Sequence, residues 1–379
     1  MKINKVLTLL LLISSINAIS NEKNVTYPFK ILHISFHKGC LNDFDEVAKE
    51  IGLDVTQWFI RGFPAVYFDG ETRNANIYNI GHDRAKKVWN KHREFFEKFD
   101  VIVTSDTAPL SRIFIQNGWK KPLVIWVCNR FDYHHQTPND GQFPDQEYYE
   151  LMEKASKMKN VKIVPYTEYE YLYARRKGIY FGKKVIKPIG VEEKEIGPDF
   201  ISHIPKKIKK EETIFLYPRI NQKQFSYIVK ECSKLGIKTF CGKYNGPEDL
   251  KGFKGILYFP YNASNLAMFE NFQRGLIHFV PSPKFITEKK QEGHPIPNFI
   301  HWAIPEESDW YKDDYKDCFV YFDSWQDLKD KIENIDYETK SKKIRALGKK
   351  HRETMLRRWR ETFDDVEDLV EMVRFYEEL

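Results

Sequence analysis

Cysteine is scarce in this chain of 379 residues: Cys40, Cys128, Cys232, Cys241 and Cys318 are five in number, odd and widely spaced. That count speaks against a disulfide framework, and the lack of paired short Cys/His spacings speaks against a structural zinc site. The cysteines are expected as small buried apolar side chains, and a Cys232–Cys241 bridge is not expected. No G-x-G-x-x-G fingerprint occurs, which leaves nicotinamide chemistry unsupported. No charge of one sign dominates either, since 60 Lys and Arg face 54 Asp and Glu for a net +6. The one dense basic run, Lys206-Lys207-Ile208-Lys209-Lys210, stands without a nucleic-acid-binding motif and reads as a solvated linker; no nucleic-acid partner is expected. Long apolar runs are missing beyond the first twenty residues, and a bilayer-spanning helix needs about 20.

What is present is a globular composition, 42% hydrophobic and 15% aromatic, on a length that suggests two domains. Residues 1–20 have the layout of a targeting segment, with Lys2 and Lys5 ahead of an apolar core from Val6 to Ile13 and a small, polar end at Ser14–Ala18. A signal peptide ending near Ala18 is expected, or a short anchor as the chain's one membrane contact. The mature protein is then expected in the lumen of the secretory pathway (ER or Golgi) or secreted. The sequons at Asn24 and Asn262 are compatible with that compartment.

The rest alternates between apolar runs and amphipathic stretches. Strands are expected at 29–36, 55–60, 99–105, 122–128 and 161–165. Helices are expected at 42–51 (capped by Asn42 or Asp43), 83–98, 108–117, within 143–159 and at 168–177. Apolar strands alternating with helices mean a parallel sheet covered on both faces. The pattern pauses over 192–212 and restarts: strand 213–217, helix 222–235, strands 238–241 and 255–259, a short helix ending at Gly275, strands 276–280 and 318–322, and a helix to about Asn334. The expected organisation is α/β with a first Rossmann-like domain at 27–191, a linker at 192–212, a second Rossmann-like domain at 213–338 and a helical tail at 339–379.

The stretch from Pro260 to Ser282 is the most specific. Strand, polar turn, helix with Glu270, Gly275 and strand form half of a nucleotide-binding layer. It resembles the donor end of GT-B glycosyltransferases, where a glutamate lies five residues before a glycine. Across most of the chain the layout resembles that superfamily. The phrases Phe99–Arg112, Cys128–Tyr133 and Cys241–Pro247 are similar to a set of glycosyltransferase-like proteins. The resemblance implies two parallel sheets facing a central cleft and a terminal helix crossing back to the first domain. It implies a nucleotide-sugar as co-substrate, with no further cofactor, and a glycan, protein or other hydroxyl acceptor. Glu270 would hold the ribose or sugar, with Ser264, Asn265 and Asn271 on the same segment, while the helix start faces the phosphates. As a solvated helix residue followed by an ordinary helix stop, Glu270 and Gly275 read equally well.

Ligands of open α/β sheets bind beyond the carboxyl ends of the strands. That rule makes His37 a candidate general base, with capping or packing as its other reading. Asp106 is the second candidate, as base or orienting group, or else as an acid favoured by a helix start. Asn129, Arg130 and Asp132 are candidates for the acceptor side. Arg219, Lys223 and Lys243 are candidates for the leaving diphosphate, and only one of the three need matter. No metal is expected, because His134 and His135 point apart and Asp43-Phe44-Asp45 falls at a helix start. The second glutamate that the family carries eight residues before the first is Asn262 here, which leaves retention or inversion open. A sugar-nucleotide epimerase or hydrolase on the same fold, or a non-catalytic glycan-binding protein, are the alternative functions.

Overall fold

The computed structural model describes residues 26–62, 68, 78–133, 145–193, 201–297 and 305–378. The targeting segment, Asn24, His134 and His135 lie outside the described residues. The chain divides into two compact units: unit 1 runs to Pro188 and resumes at Thr354, and unit 2 is Ile189–Glu353.

Unit 1 is a five-stranded parallel sheet ordered β2-β1-β3-β4-β5, formed by β1 (Lys30–Ser35), β2 (Asp54–Phe59), β3 (Val101–Ser105), β4 (Leu123–Val127) and β5 (Val161–Pro165). Its helices are α1 (Lys38–Ile51), α2 (His82–Phe96), α3 (Arg112–Ile115), α4 (Gln146–Ala155) and α5 (Glu168–Arg176). β3 and β4 are buried along their whole length, as continuous apolar strands covered on both faces must be. α1 starts four residues earlier than expected. Its N-cap is His37, in an extended conformation, with Nδ1 accepting from the Cys40 amide at 3.3 Å. Asp43 consequently lies buried within the helix, past its N-cap. The helix expected at 108–117 opens as a 3-10 turn at Ala108–Ser111, because Pro109 sits in its first turn.

Unit 2 repeats the plan with the order β10-β9-β8-β6-β7, from β6 (Ile214–Leu216), β7 (Thr239–Phe240), β8 (Gly255–Leu257), β9 (His278–Pro281) and β10 (Phe319–Phe322). Its helices are α6 (Gln222–Lys234), α7 (Leu266–Gln273), α8 (Pro283–Gln291) and α9 (Trp325–Asn334). Numbered from its own first strand, each sheet reads 2-1-3-4-5, a doubly wound order. Residues 201–212, expected as part of a solvated linker, pack on unit 2. Ile204 is buried in its core, the His203 amide donates to Asp249 at 2.9 Å, and Lys210 Nζ donates to the Asp249 carbonyl at 2.7 Å.

The last helix, α10 (Tyr337–Glu377), divides between the units after Glu353. In unit 2, Ile344 joins the core and Gly348 lies against Phe272. In unit 1, Trp359 meets Phe44 and Trp126 edge to face at 5.3 and 5.5 Å between ring centroids. Gly190 (φ 74°) shows why a side chain is excluded where unit 2 begins: an added Cβ would lie 2.6 Å from the Phe269 carbonyl oxygen.

Candidate functional site

In a doubly wound sheet the chain leaves the first strand on one side and its neighbour on the other, opening a crevice at their carboxyl ends. In unit 1 that crevice separates β1 from β3, with β4 next in line. The residues just past those strands are His37, Asp106 and Asn129.

Asp106 is the unusual one. It is the one non-glycine with positive φ among the described residues, at 74°. It is also buried, and burial pushes its carboxyl up to about 7, against the opposing pull of Asn129 and Arg61. Asn129 Nδ2 donates to Asp106 Oδ1 at 2.9 Å and reaches its carbonyl oxygen at 3.4 Å. A left-handed aspartate costs about 1 kcal/mol. A desolvated carboxylate at a strand end adds an electrostatic cost. Two such costs at one residue mark a site in which the surroundings over-determine its conformation. His37 stands exposed beside it, with Nδ1 committed to the α1 cap. The thiols of Cys40 and Cys128 lie within hydrogen-bonding reach of each other in the same cluster, and both feel the Asp106 charge. Neither is in a disulfide; Cys232, Cys241 and Cys318 are free as well.

The other unit 1 candidates part company. Arg130 lies over the Tyr133 ring at 5.8 Å, half-buried. Asp132 is fully buried, with Oδ2 accepting from the Tyr149 hydroxyl and, at 3.0 Å, from that of Tyr173. Burial raises its carboxyl, and the two phenols oppose the shift. It anchors α4 and α5 and lines no open surface, contrary to its expected place on the acceptor side.

In unit 2 the corresponding crevice lies past β6 and β8, and tyrosines fill its walls. Tyr217 follows β6, Tyr258 follows β8, and Tyr244 and Tyr261 come from the adjoining loops. The Tyr217 and Tyr258 rings lie 4.7 Å apart, the Tyr244 hydroxyl donates to that of Tyr217 at 3.3 Å, and Tyr258 stacks on Trp310 at 4.1 Å. Arg219 lies over the Tyr261 ring at 5.7 Å and its charge reaches Tyr217 and Tyr244. Lys223, in the first turn of α6, and Lys243, after β7, are exposed; no contact ties either to this cluster.

α7 starts at the same edge. Asn265 is its N-cap, Oδ1 accepting from the Met268 amide at 2.7 Å while Nδ2 donates to the Tyr258 hydroxyl at 2.5 Å. Ser264 is buried, with no hydrogen-bond partner for its hydroxyl among the described residues. Burial pushes the Glu270 carboxyl up, Arg274 opposes, and the Glu270 charge reaches Tyr244. Ser264, Asn265, Glu270, Arg219 and the tyrosines thus share one edge. Asn271 does not join them: it is buried on the core-facing side of α7, with Nδ2 at 3.0 Å from His278 Nε2 in the core. Gly275 (φ 65°) closes the helix, and a Cβ there would meet the Ser341 carbonyl oxygen at 2.7 Å, so α10 packing requires the glycine.

Sequence reasoning missed the aromatic wall, whose members are scattered over Tyr217–Tyr261, although each follows or flanks a strand end. Among the described residues no cluster of His, Cys, Asp and Glu has the spacing of a metal site, and no helix is long and apolar enough to cross a membrane.

No protein-family model matches the sequence, and no curated protein matches it. Solved structures do resemble it in fold. A structure described as the glycotransferase of kitacinnamycin is 10% identical, with a TM-score of 0.39 over 87% of this chain and 99% of its own. The pneumococcal O-GlcNAc transferase GtfA, solved with UDP and GlcNAc, is 12% identical, with a TM-score of 0.41 over 70% of this chain and 56% of its own. The glycosyltransferase SnogD from Streptomyces nogalater is 8% identical, with a TM-score of 0.41 over 84% and 94%. Likeness at this level carries no argument about chemistry. The GT-B-like description of the fold rests on the doubled 2-1-3-4-5 topology.

Proposed function

We propose that the chain is a glycosyltransferase that moves a sugar from a nucleotide-sugar to a hydroxyl acceptor, with Asp106 as general base. The observation that carries the reading is the Asp106 carboxyl itself: left-handed, desolvated and poised at about 7 at the switch point of the first sheet. His37, committed at Nδ1 to capping, ranks behind it.

In this reading the acceptor hydroxyl gives its proton to Asp106 while its oxygen attacks the anomeric carbon. The bond from that carbon to the nucleoside diphosphate breaks, and the leaving oxygen keeps the electron pair. Unit 2 supplies the donor residues. Glu270 accepts from sugar or ribose hydroxyls, the Ser264 hydroxyl and the start of α7 receive phosphate oxygens, and Arg219 offsets the growing negative charge. Donor identity, acceptor identity and action in the secretory lumen belong to the same proposal.

Calorimetry against UDP-, GDP- and CMP-sugars tests it. Binding of one donor is expected, weakened by Glu270→Gln at a cost of about 1–3 kcal/mol, as for lost hydrogen bonds to a charged group. Asp106→Asn should keep that binding and lose turnover. Absence of binding to all three donor classes overturns the reading. Donor turnover without any acceptor would convert it to hydrolysis or epimerisation.

A further inference from the structure

The basic run Lys206–Lys210 belongs to unit 2, and its last residue, Lys210, packs against Gly252 and Phe253, which line a cavity of about 460 Å³. Segment 251–254, which leads into β8, and segment 274–277, which leads into β9, line it. The cavity therefore lies where the strands begin, at the opposite edge of the sheet from the tyrosines, Arg219 and the start of α7.

Its charge is unbalanced. Lys251, Lys254, Arg274 and Arg345 line it. Glu193 pairs with Lys251 and, at 2.9 Å, with Arg345. Glu248 pairs with Arg274 at 2.6 Å and Lys251 at 2.8 Å. Among the described residues, four cations against two carboxylates leave +2. Lys254 has no carboxylate partner among the described residues, and its Nζ lies 5.7 Å over the Tyr337 ring. Phe253 forms a second aromatic wall, with Lys210 Nζ 5.5 Å from its ring centroid. Lys206, Lys207 and Lys209 of the same run are exposed, and Lys209 is paired with Glu212 at 3.5 Å.

We propose that this cavity is a binding site for a small phosphomonoester, separate from the donor site. A phosphomonoester carries nearly two negative charges above its second pKa of about 6, which matches the +2 left over. Cations in a concave site favour compact phosphate oxygens. A recessed site of this volume takes a small molecule, whereas a flat anionic membrane reaches only exposed lysines such as those of the 206–209 run.

Titration of the full chain with inositol 1-phosphate, followed by calorimetry, is the test, with inorganic phosphate as the smaller probe. Saturable binding is expected, weaker for inorganic phosphate and weakened by added salt. Lys254→Glu should lower the affinity by about tenfold or more, as expected when a charge-assisted contact becomes a repulsion. Lys254→Arg should retain it, Arg219→Glu should leave it unchanged, and unliganded melting curves should confirm that all three variants fold. No saturable binding overturns the proposal. So does affinity that survives Lys254→Glu but is lost in Arg219→Glu, which would move the phosphate to the strand carboxyl ends. Binding to phosphatidylserine vesicles that inositol 1-phosphate fails to displace would assign the basic surface to a membrane and overturn it as well.

Discussion

Asp106 links conformation, stability and chemistry in one side chain. Its folded carboxyl, raised to about 7, holds a proton more tightly than the unfolded chain does. Between roughly pH 4 and 7 the folded state therefore binds more protons than the unfolded one, and stability falls as the pH rises through that window. The contribution is present in full below the unfolded pKa and is lost above about 7. Asn tolerates left-handed backbone as Asp does, and its side-chain oxygen can still accept from Asn129. Asp106→Asn should accordingly stabilise the protein at pH 8, by on the order of a few kcal/mol, and be nearly neutral at pH 4. Chemical denaturation at both pH values measures this, and equal effects at the two would mean that Asp106 carries no buried charge. Turnover of the native protein should rise across the window in which stability falls, since the base must be ionised. Position told the sequence reader that Asp106 follows a strand, but nothing in Ser105-Asp106-Thr107 announces a left-handed residue. That conformation comes from the turn into Pro109 and from Asn129, which lies 23 residues away. His37 was legible as a strand-end histidine. Capping was its other reading, and the sequence could not choose it, because the side chains usually expected at an N-cap are Ser, Thr, Asp and Asn.

At the scale of elements, apolar runs bounded by turn residues made the ten strands of the described residues readable, and those buried along their whole length, such as β3, β4, β6, β8 and β9, carry no polar face to confuse the pattern. Helix faces were harder. In α7, Glu270 and Asn271 are adjacent in sequence, yet one looks toward the tyrosine cluster and the other into the core beside His278. A rotation of about 100° per residue separates them. Only the burial of Met268 and Phe272, three before and one after Asn271, hinted at the inner face. α8 was not anticipated, although Ser282-Pro283 is a fitting start: Ser282 accepts from the Phe285 amide at 3.1 Å and Pro283 opens the helix. The lysine run misled by its charge, because exposed side chains at 206, 207 and 209 do not stop the backbone from packing through Ile204 and Asp249. For α7 itself, Asn265→Ala removes the cap and the link to Tyr258. A loss of about 1 kcal/mol of stability is expected, together with weaker donor binding, because the helix start presents its amide groups to the phosphates. A variant that loses stability but binds donor as well as the native chain would reduce Asn265 to a structural cap.

For the whole molecule, the course of the chain matters as much as either sheet, because unit 1 is completed only when its last segment is made. Residues from Thr354 onward belong to it, and their inner face carries Met355, Trp359, Phe363, Val366 and Val370, all buried. Trp359 is fully buried against Phe44 of α1 and Trp126 of β4, and stacks on Phe363 at 5.9 Å. The sequence marked 339–379 as a helical tail. The partner surface was not visible, since the rings it meets lie more than two hundred residues earlier. Trp359→Ala should cost unit 1 about 3–5 kcal/mol, the usual range for removing a large buried aromatic side chain. Unit 2 takes its own share of α10 through Ile344 and Gly348, ahead of the substitution, and keeps those contacts. Scanning calorimetry should therefore show unit 1 melting well below its native transition while the unit 2 transition stays in place. Near-ultraviolet circular dichroism would assign the early event through loss of the tryptophan signal from Trp126. Equal downward shifts of both transitions would mean that the two units unfold as one cooperative block.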